Sequence, residues 1–232
     1  MKLYVEHIVI LMAMEREARP IIKHLAMKRL WRPFTWGLSM KAYRTNRSGT
    51  TITLLLNDKN SENNNPSSIQ QAMVLSAWQA IKLFSPDIII SLGMGGGLQY
   101  TGARIGDVYI NVGVFKYQAK LTQPAEGAID YGIGPYNFYD VSAIAHKLGL
   151  RLDSISHDNA LTVTEPELVE KNTATALQII PFITLYVISD YFDNRLASKQ
   201  QSEKNQAFAI ESLDKKFTMM VDALINNGLA AI

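Results

Sequence analysis

The chain is 232 residues long, 47% hydrophobic and 19% charged, with a formal net charge of +2. That size and composition fit one large globular α/β domain or two small ones, with core enough to need no staples, and the near balance of charge leaves no nucleic-acid or membrane-surface footprint. There is no cysteine, which excludes disulfides, thiol catalysis and thiolate metal sites and fits a reducing cytoplasm; the apolar runs are too short to span a bilayer, and no leader peptide is expected.

The first apolar run, "IVILMA" from Ile8 to Ala13, predicts a strand buried on both faces. "EREARPIIKHL" predicts a helix with Ile21, Ile22 and Leu25 on one side and Pro20 near its start. "KAYRTNRSGTTITLLLN" predicts a hairpin turning at residues 46–49. The Asn- and Ser-dense stretch Asp58–Ser68 is a solvated connection or a lid. A helix over Ser68–Phe84 is expected to bury Ala72, Leu75, Trp78 and Ile81. "PDIIISLG" and "GDVYINVGVF" predict further strands, and the Gly-, Pro- and Tyr-rich stretch from Lys120 to Tyr139 carries no periodicity.

"VSAIAHKLGL" predicts a helix stopped by Gly149, and "PELVEKNTATALQ" another. "PFITLYVISD" predicts a strand ending on Asp190. An amphipathic helix over Ser202–Asn226 is expected to turn Phe208, Leu213, Phe217, Val221 and Leu224 one way. Alternating strands and helices, interrupted by hairpin-like pairs, predict a mixed-sheet α/β domain with no repeat and no interdomain linker.

Three strand ends collect unusual residues: Glu15 and Glu17, then Gly93-Met94-Gly95-Gly96-Gly97, then Ser189-Asp190. In open α/β sheets ligands bind beyond the carboxyl ends of strands, so the three could share one pocket. Each also has a purely structural role: acids suit a helix's first turn, glycines suit a turn, and "SD" suits a cap. The Gly run lacks the G-x-G-x-x-G spacing and any following Gly-Lys-Ser/Thr, so it is neither a dinucleotide fingerprint nor a Walker loop. Its glycines would still let a sugar or a base edge approach the backbone. His7, His24, His146 and His157 have no metal-ligand spacing.

The ordered set "AMERE", "PDIIISLGMGGGL", "GARIGDVYI" and "VISD" resembles the nucleoside phosphorylase/uridine phosphorylase superfamily, and within it the 5′-methylthioadenosine/S-adenosylhomocysteine nucleosidases, over nearly the whole chain. The resemblance implies an α/β three-layer sandwich with a mixed central sheet flanked by helices. It implies hydrolysis of the N-glycosidic bond of adenine nucleosides in methionine salvage, a cytoplasmic homodimer, and no metal or organic cofactor. Its partners would be a small-molecule adenine nucleoside, not nucleic acid or a membrane. By the same resemblance Glu17 activates the attacking water and Asp190 protonates N7 of the departing adenine. Met14 lines the ribose, Ala160 and Leu161 in "SHDNAL" hold the base, and Gly93, Met94, Gly95 and Ser189 complete the substrate site. A carboxylate at Glu17 disfavours phosphate, which argues against a phosphorylase.

The chain departs from the family pattern at three places. Met94 stands where the family has Ser or Thr, and Tyr186 stands where it has a basic residue near the water. One strand–helix segment carrying the ribose-binding Glu is not found near residues 172–180, where Asn172 is a poor substitute. The alternative reading is therefore a nucleoside-binding relative with no turnover. A relative acting on a different sugar or base, or a damaged gene, would also account for the departures.

Overall fold

The structure is a computed structural model that describes residues 4–31, 40–57, 76–112, 114–118, 132–137, 141–154, 180–193 and 198–228. The first apolar run forms β1 (His7–Met12), buried along almost all its length. Such a strand needs neighbours on both edges and cover on both faces. It has β4 (Thr50–Asn57) in parallel on one edge and β5 (Ile88–Gly97) in parallel on the other; β5 in turn pairs in parallel with β10 (Phe182–Tyr191). Outside this parallel centre the pairing changes direction. On one flank β3 (Met40–Arg47) runs antiparallel to β4, and β2 (Lys28–Leu30) antiparallel to β3. On the other flank β6 (Val108–Val112) runs antiparallel to β10, with β9 (Arg151–Ser154) parallel to β6. The eight-stranded sheet has the order β2-β3-β4-β1-β5-β10-β6-β9, and β7 (Val114–Gln118) pairs with β8 (Gly132–Asn137) in a separate two-stranded sheet.

The period-two alternation of the central strands divides the core. Ile8, Ile10, Ile90, Leu185 and Val187 face helices α1 (Glu15–His24), α3 (Ser142–Leu148) and α4 (Lys199–Asn227), which contribute Ile21, Ile144, Leu213, Phe217 and Val221. Val9, Leu11 and Ile89 face the other way, against Ala77 and Ala80 of the helical residues 76–84, here α2. Helices on both faces of a mixed sheet make the three-layer α/β sandwich expected from the sequence. Gly149 ends α3 in the left-handed region at φ 60, as expected. The closing helix starts three residues before the expected Ser202, and the Ser198 side chain caps it by accepting the Gln201 N–H.

Several expectations are corrected. Residues 132–137 lie inside the stretch read as aperiodic, yet they form β8. In "GIGPYN" two glycines, a proline and an asparagine outnumber the strand-favouring Ile133 and Tyr136, so pairing with β7 rather than local preference makes it extended. "GDVYINVGVF" is not one strand: β6 and β7 belong to different sheets. Strands β2 and β9, only three and four residues long, leave no signal in the sequence. Trp78 is 41% exposed, with the Lys82 ammonium 4.8 Å from its ring centroid, and Phe208 is 55% exposed; Ile81 is partly buried as expected. Pro20 lies in the second turn of α1 rather than the first, where it removes the N–H that the Arg16 carbonyl would accept. Residues 58–68, Ala72, Leu75, the expected helix after Pro166 and residues 172–179 lie outside the described residues.

Candidate active site

Because β1, β5 and β10 are adjacent and parallel, their carboxyl ends open on the same edge of the sheet. A cleft of about 320 Å³ lies there, lined by Met14, Arg16, Glu17, Met94, Gly95, Gly96, Ser189, Asp190, Tyr191 and Phe192. Three segments far apart in the chain thus meet for the reason the sequence suggested: ligand sites in such sheets sit beyond the strands' carboxyl ends.

The two opening glutamates part company. Glu15 turns outward, paired with Arg19 at 2.9 Å and with Lys41 at 3.2 Å; hydrogen bonds from these two cations hold its carboxyl below the usual carboxylate range. Glu17 is only 3% exposed and lines the cleft. Helical spacing explains the split, since positions two apart on a helix lie on different faces. Arg16, between them, reaches across to α4 and donates to Gln206 at 2.9 Å.

The Gly run is part of β5, not a loop beyond it. Its ladder with β10 continues to Gly97, which faces Tyr191. Met94, Gly95 and Gly96 reach the cleft, while Gly93 sits one step earlier opposite Tyr186 and is not among the lining residues. Gly97 is a packing glycine: a Cβ there would lie 2.9 Å from that of Ala103. Gly96 has another reason, since a Cβ there would lie 2.7 Å from the Phe192 ring.

Strand β10 carries a bulge near its carboxyl end. Ile188 pairs with Gly95 and Asp190 with Gly96, leaving Ser189 as the extra residue. A bulge breaks the alternation and re-aims the side chains beyond it, and here it brings both Ser189 and Asp190 to the cleft. The bulge is pinned from the side by the turn before β6: Gly106 N–H donates to the Ile188 carbonyl at 2.8 Å, and Ile188 N–H donates to the Asp107 carbonyl at 3.0 Å. Gly106 has φ +87, and the Phe208 ring occupies the space a Cβ would need. The "GD" of the sequence motif therefore holds the strand end that carries Asp190. Asp190 itself is exposed, one carboxylate oxygen accepting the Tyr191 N–H at 2.8 Å. The buried Ser189 hydroxyl lies 3.5 Å from the Gly95 carbonyl.

The position matched to a basic residue is core. Tyr186 is 1% exposed and stacks on Tyr109 with ring centroids 5.5 Å apart and planes 7° from parallel. Alternation along β10 puts it with Ile188 in the cluster around Ala103, not in the cleft. Ala160 and Leu161 lie outside the described residues. The sequence does not single out Arg16, Gly96, Tyr191 or Phe192 as site residues. Arg16 and Tyr191 directly adjoin candidate residues and Gly96 belongs to the Gly run, which is the signal that could have found them; Phe192, two residues beyond Asp190, carries no such signal.

No protein-family model matches the chain. A 5′-methylthioadenosine/S-adenosylhomocysteine nucleosidase of Arabidopsis thaliana is 23% identical over 239 residues, covering 96% of this chain and 93% of that protein. Among solved structures, the apo form of Arabidopsis thaliana 5′-methylthioadenosine nucleosidase superposes with a TM-score of 0.82 at 19% identity, covering 99% of this chain and 100% of that one. A crystal structure of an MTA/SAH nucleosidase gives 0.83 at 20% identity with the same coverage. The chain resembles the 5′-methylthioadenosine/S-adenosylhomocysteine nucleosidases. The nucleosidase fold runs through the entire sheet, and the cleft of Glu17 and Asp190 lies at its strand ends.

Proposed function

We propose that this protein hydrolyses the N-glycosidic bond of adenine nucleosides of the methylthioadenosine or S-adenosylhomocysteine type. The observation that carries the reading is one cleft lined by two carboxylates from different elements, the buried Glu17 of α1 and the exposed Asp190 of β10. A hydrolase of this kind needs one group to take a proton and another to give one. Glu17 takes a proton from the water as its oxygen bonds to C1′ of the ribose. The C1′–N bond breaks, its electron pair goes to the purine, and Asp190 supplies the proton that neutralises the leaving base at N7. The products are adenine and the free sugar.

Met14, Met94, Gly95 and Ser189 shape the walls around the nucleoside, with Gly93, Ala160 and Leu161 assigned to the site by resemblance. A homodimer, a cytoplasmic setting and a place in methionine salvage complete the reading. The full-length likeness to a nucleosidase supports it.

The test is adenine release from methylthioadenosine and S-adenosylhomocysteine, with and without phosphate. Phosphate-independent release is expected, and Glu17→Gln or Asp190→Asn should each lower it by about 10²–10⁴-fold. Wild-type turnover in either variant would remove that residue's role. Phosphate-dependent release would make the protein a phosphorylase. Silence from folded wild type would leave a nucleoside-binding relative with no turnover.

A further inference from the structure

Phe192 is a large apolar side chain that the fold does not put in its core. It is 40% exposed, two residues beyond Asp190, and lines the same cleft. The ring is nevertheless held in place. A Cβ on Gly96 would lie 2.7, 2.8 and 3.0 Å from Cε2, Cζ and Cδ2, so one ring edge rests directly on the Gly96 backbone. Its own N–H donates to the Gly97 carbonyl at 3.0 Å. The next residue, Asp193, accepts the N–H groups of Gln99 and Tyr100 at 3.0 and 3.1 Å. The Phe192 backbone and the carboxylate of the next residue are thus both tied to the exit of β5. The neighbouring Tyr191 is committed elsewhere, its hydroxyl accepting the Ile105 N–H at 3.3 Å and its ring packed with the cluster around Ala103.

A pinned, half-exposed aromatic face beside a carboxylate suits a flat ligand that stacks and also exchanges a proton. We propose that Phe192, seated on Gly96, is a specificity-determining wall of the cleft, against which a heteroaromatic base stacks while its ring nitrogen meets Asp190. This rests on the adenine-nucleoside reading for the identity of the base. Aromatic stacking needs only two side-chain torsions fixed, and the Gly96 seat has already restricted them.

Adenine alone is the probe, titrated calorimetrically into wild type, Phe192→Ala, Phe192→Trp, Gly96→Ala and the double variant Gly96→Ala/Phe192→Ala, with melting temperature recorded for each. Phe192→Ala is expected to bind adenine about tenfold more weakly, and Phe192→Trp at least as well as wild type. Gly96→Ala should lose affinity by a similar factor, because the new methyl displaces the ring. In the double variant that loss should vanish, since no ring remains to displace. Turnover in Phe192→Ala is expected to show a raised KM with kcat little changed.

Adenine binding by Phe192→Ala within about twofold of wild type would overturn the proposal, as would full additivity in the double variant. Wild type that fails to bind adenine at millimolar concentration overturns it too. Wild type that binds adenine through Phe192 but releases none from methylthioadenosine supports the wall and removes the hydrolase reading. Release with no role for Phe192 does the reverse.

Discussion

Two residues separated by one position, Glu15 and Glu17, show how little a residue's type decides. Both are acids in the first turn of α1, where the helix dipole favours them. Only Glu17 enters the cleft, so Glu15→Gln is expected to leave adenine release within about twofold of wild type while Glu17→Gln abolishes most of it. His7 shows the opposite case, a titratable residue held for structure. Its Nδ1–H faces the Phe84 carbonyl at 3.0 Å, and its Nε2 faces the Thr53 hydroxyl at 2.8 Å. Since a carbonyl only accepts, the neutral Nδ1–H tautomer completes the network, with Thr53 donating to Nε2 and receiving the Arg44 Nε–H at 3.0 Å. Burial, and then the Arg44 charge, push the His7 pKa below its ordinary 6.5. The unfolded chain therefore takes up this proton first as pH falls, and stability drops below about pH 6.5 until the folded pKa is reached. In denaturant melts between pH 7 and 5, His7→Gln should flatten part of that decline. An unchanged slope would remove His7 from the account.

At the scale of elements, the site depends on how the ends of β5 and β10 are stitched together. Asp193 spans the gap by accepting two backbone N–H groups, and the Gln99 bond, with the Tyr100 bond behind it, holds its carboxyl below the usual range. The carboxylate suits the task because it accepts at both oxygens. Asn would offer one oxygen and set its NH₂ against the second N–H. Asp193→Asn and Asp193→Ala are therefore both expected to lower kcat/KM for adenine release by roughly tenfold, through misplacement of Asp190 and Phe192. Faster hydrogen exchange at Gln99 and Tyr100 should accompany the loss. Full activity in both variants would show that the bulge and the turn at Gly106 hold Asp190 without the stitch. "SD" can be picked out in the sequence as a strand end. The bulge at Ser189 cannot, because it arises from pairing with β5 on one edge and a turn from elsewhere on the other.

Across the whole molecule, α4 closes one face of the sheet. It ties to α1 through Arg16–Gln206 in its N-terminal half and through His24–Asp214 at 2.8 Å near its middle, and it fills the core with Leu213, Phe217 and Val221. Phe217 is fully buried, so Phe217→Ala combines lost burial with a cavity and should cost about 3–5 kcal/mol, lowering Tm by about 10 °C. Phe208, half out of the core, should cost less than half as much when replaced by Ala. Equal losses at the two positions would mean that the helix packs on the sheet by a different face. No helix among the described residues is long and apolar enough to cross a membrane.

The sequence by itself determined the elements whose signal is local. The continuous apolar runs of β1, β5 and β10, the hairpin of β3 and β4 and the periodic face of α4 are legible because burial on one face or two leaves a fixed spacing in the chain. It also marked the three strand ends that carry Glu17, the Gly run and Asp190. Only the tertiary structure decided what pairing and packing supply. It made β8 a strand, sent Tyr186 to the core and let the Phe192 ring settle on Gly96 beside Asp190. Each of these turns on a neighbour distant in sequence, and a distant contact leaves no periodic mark on the chain that makes it.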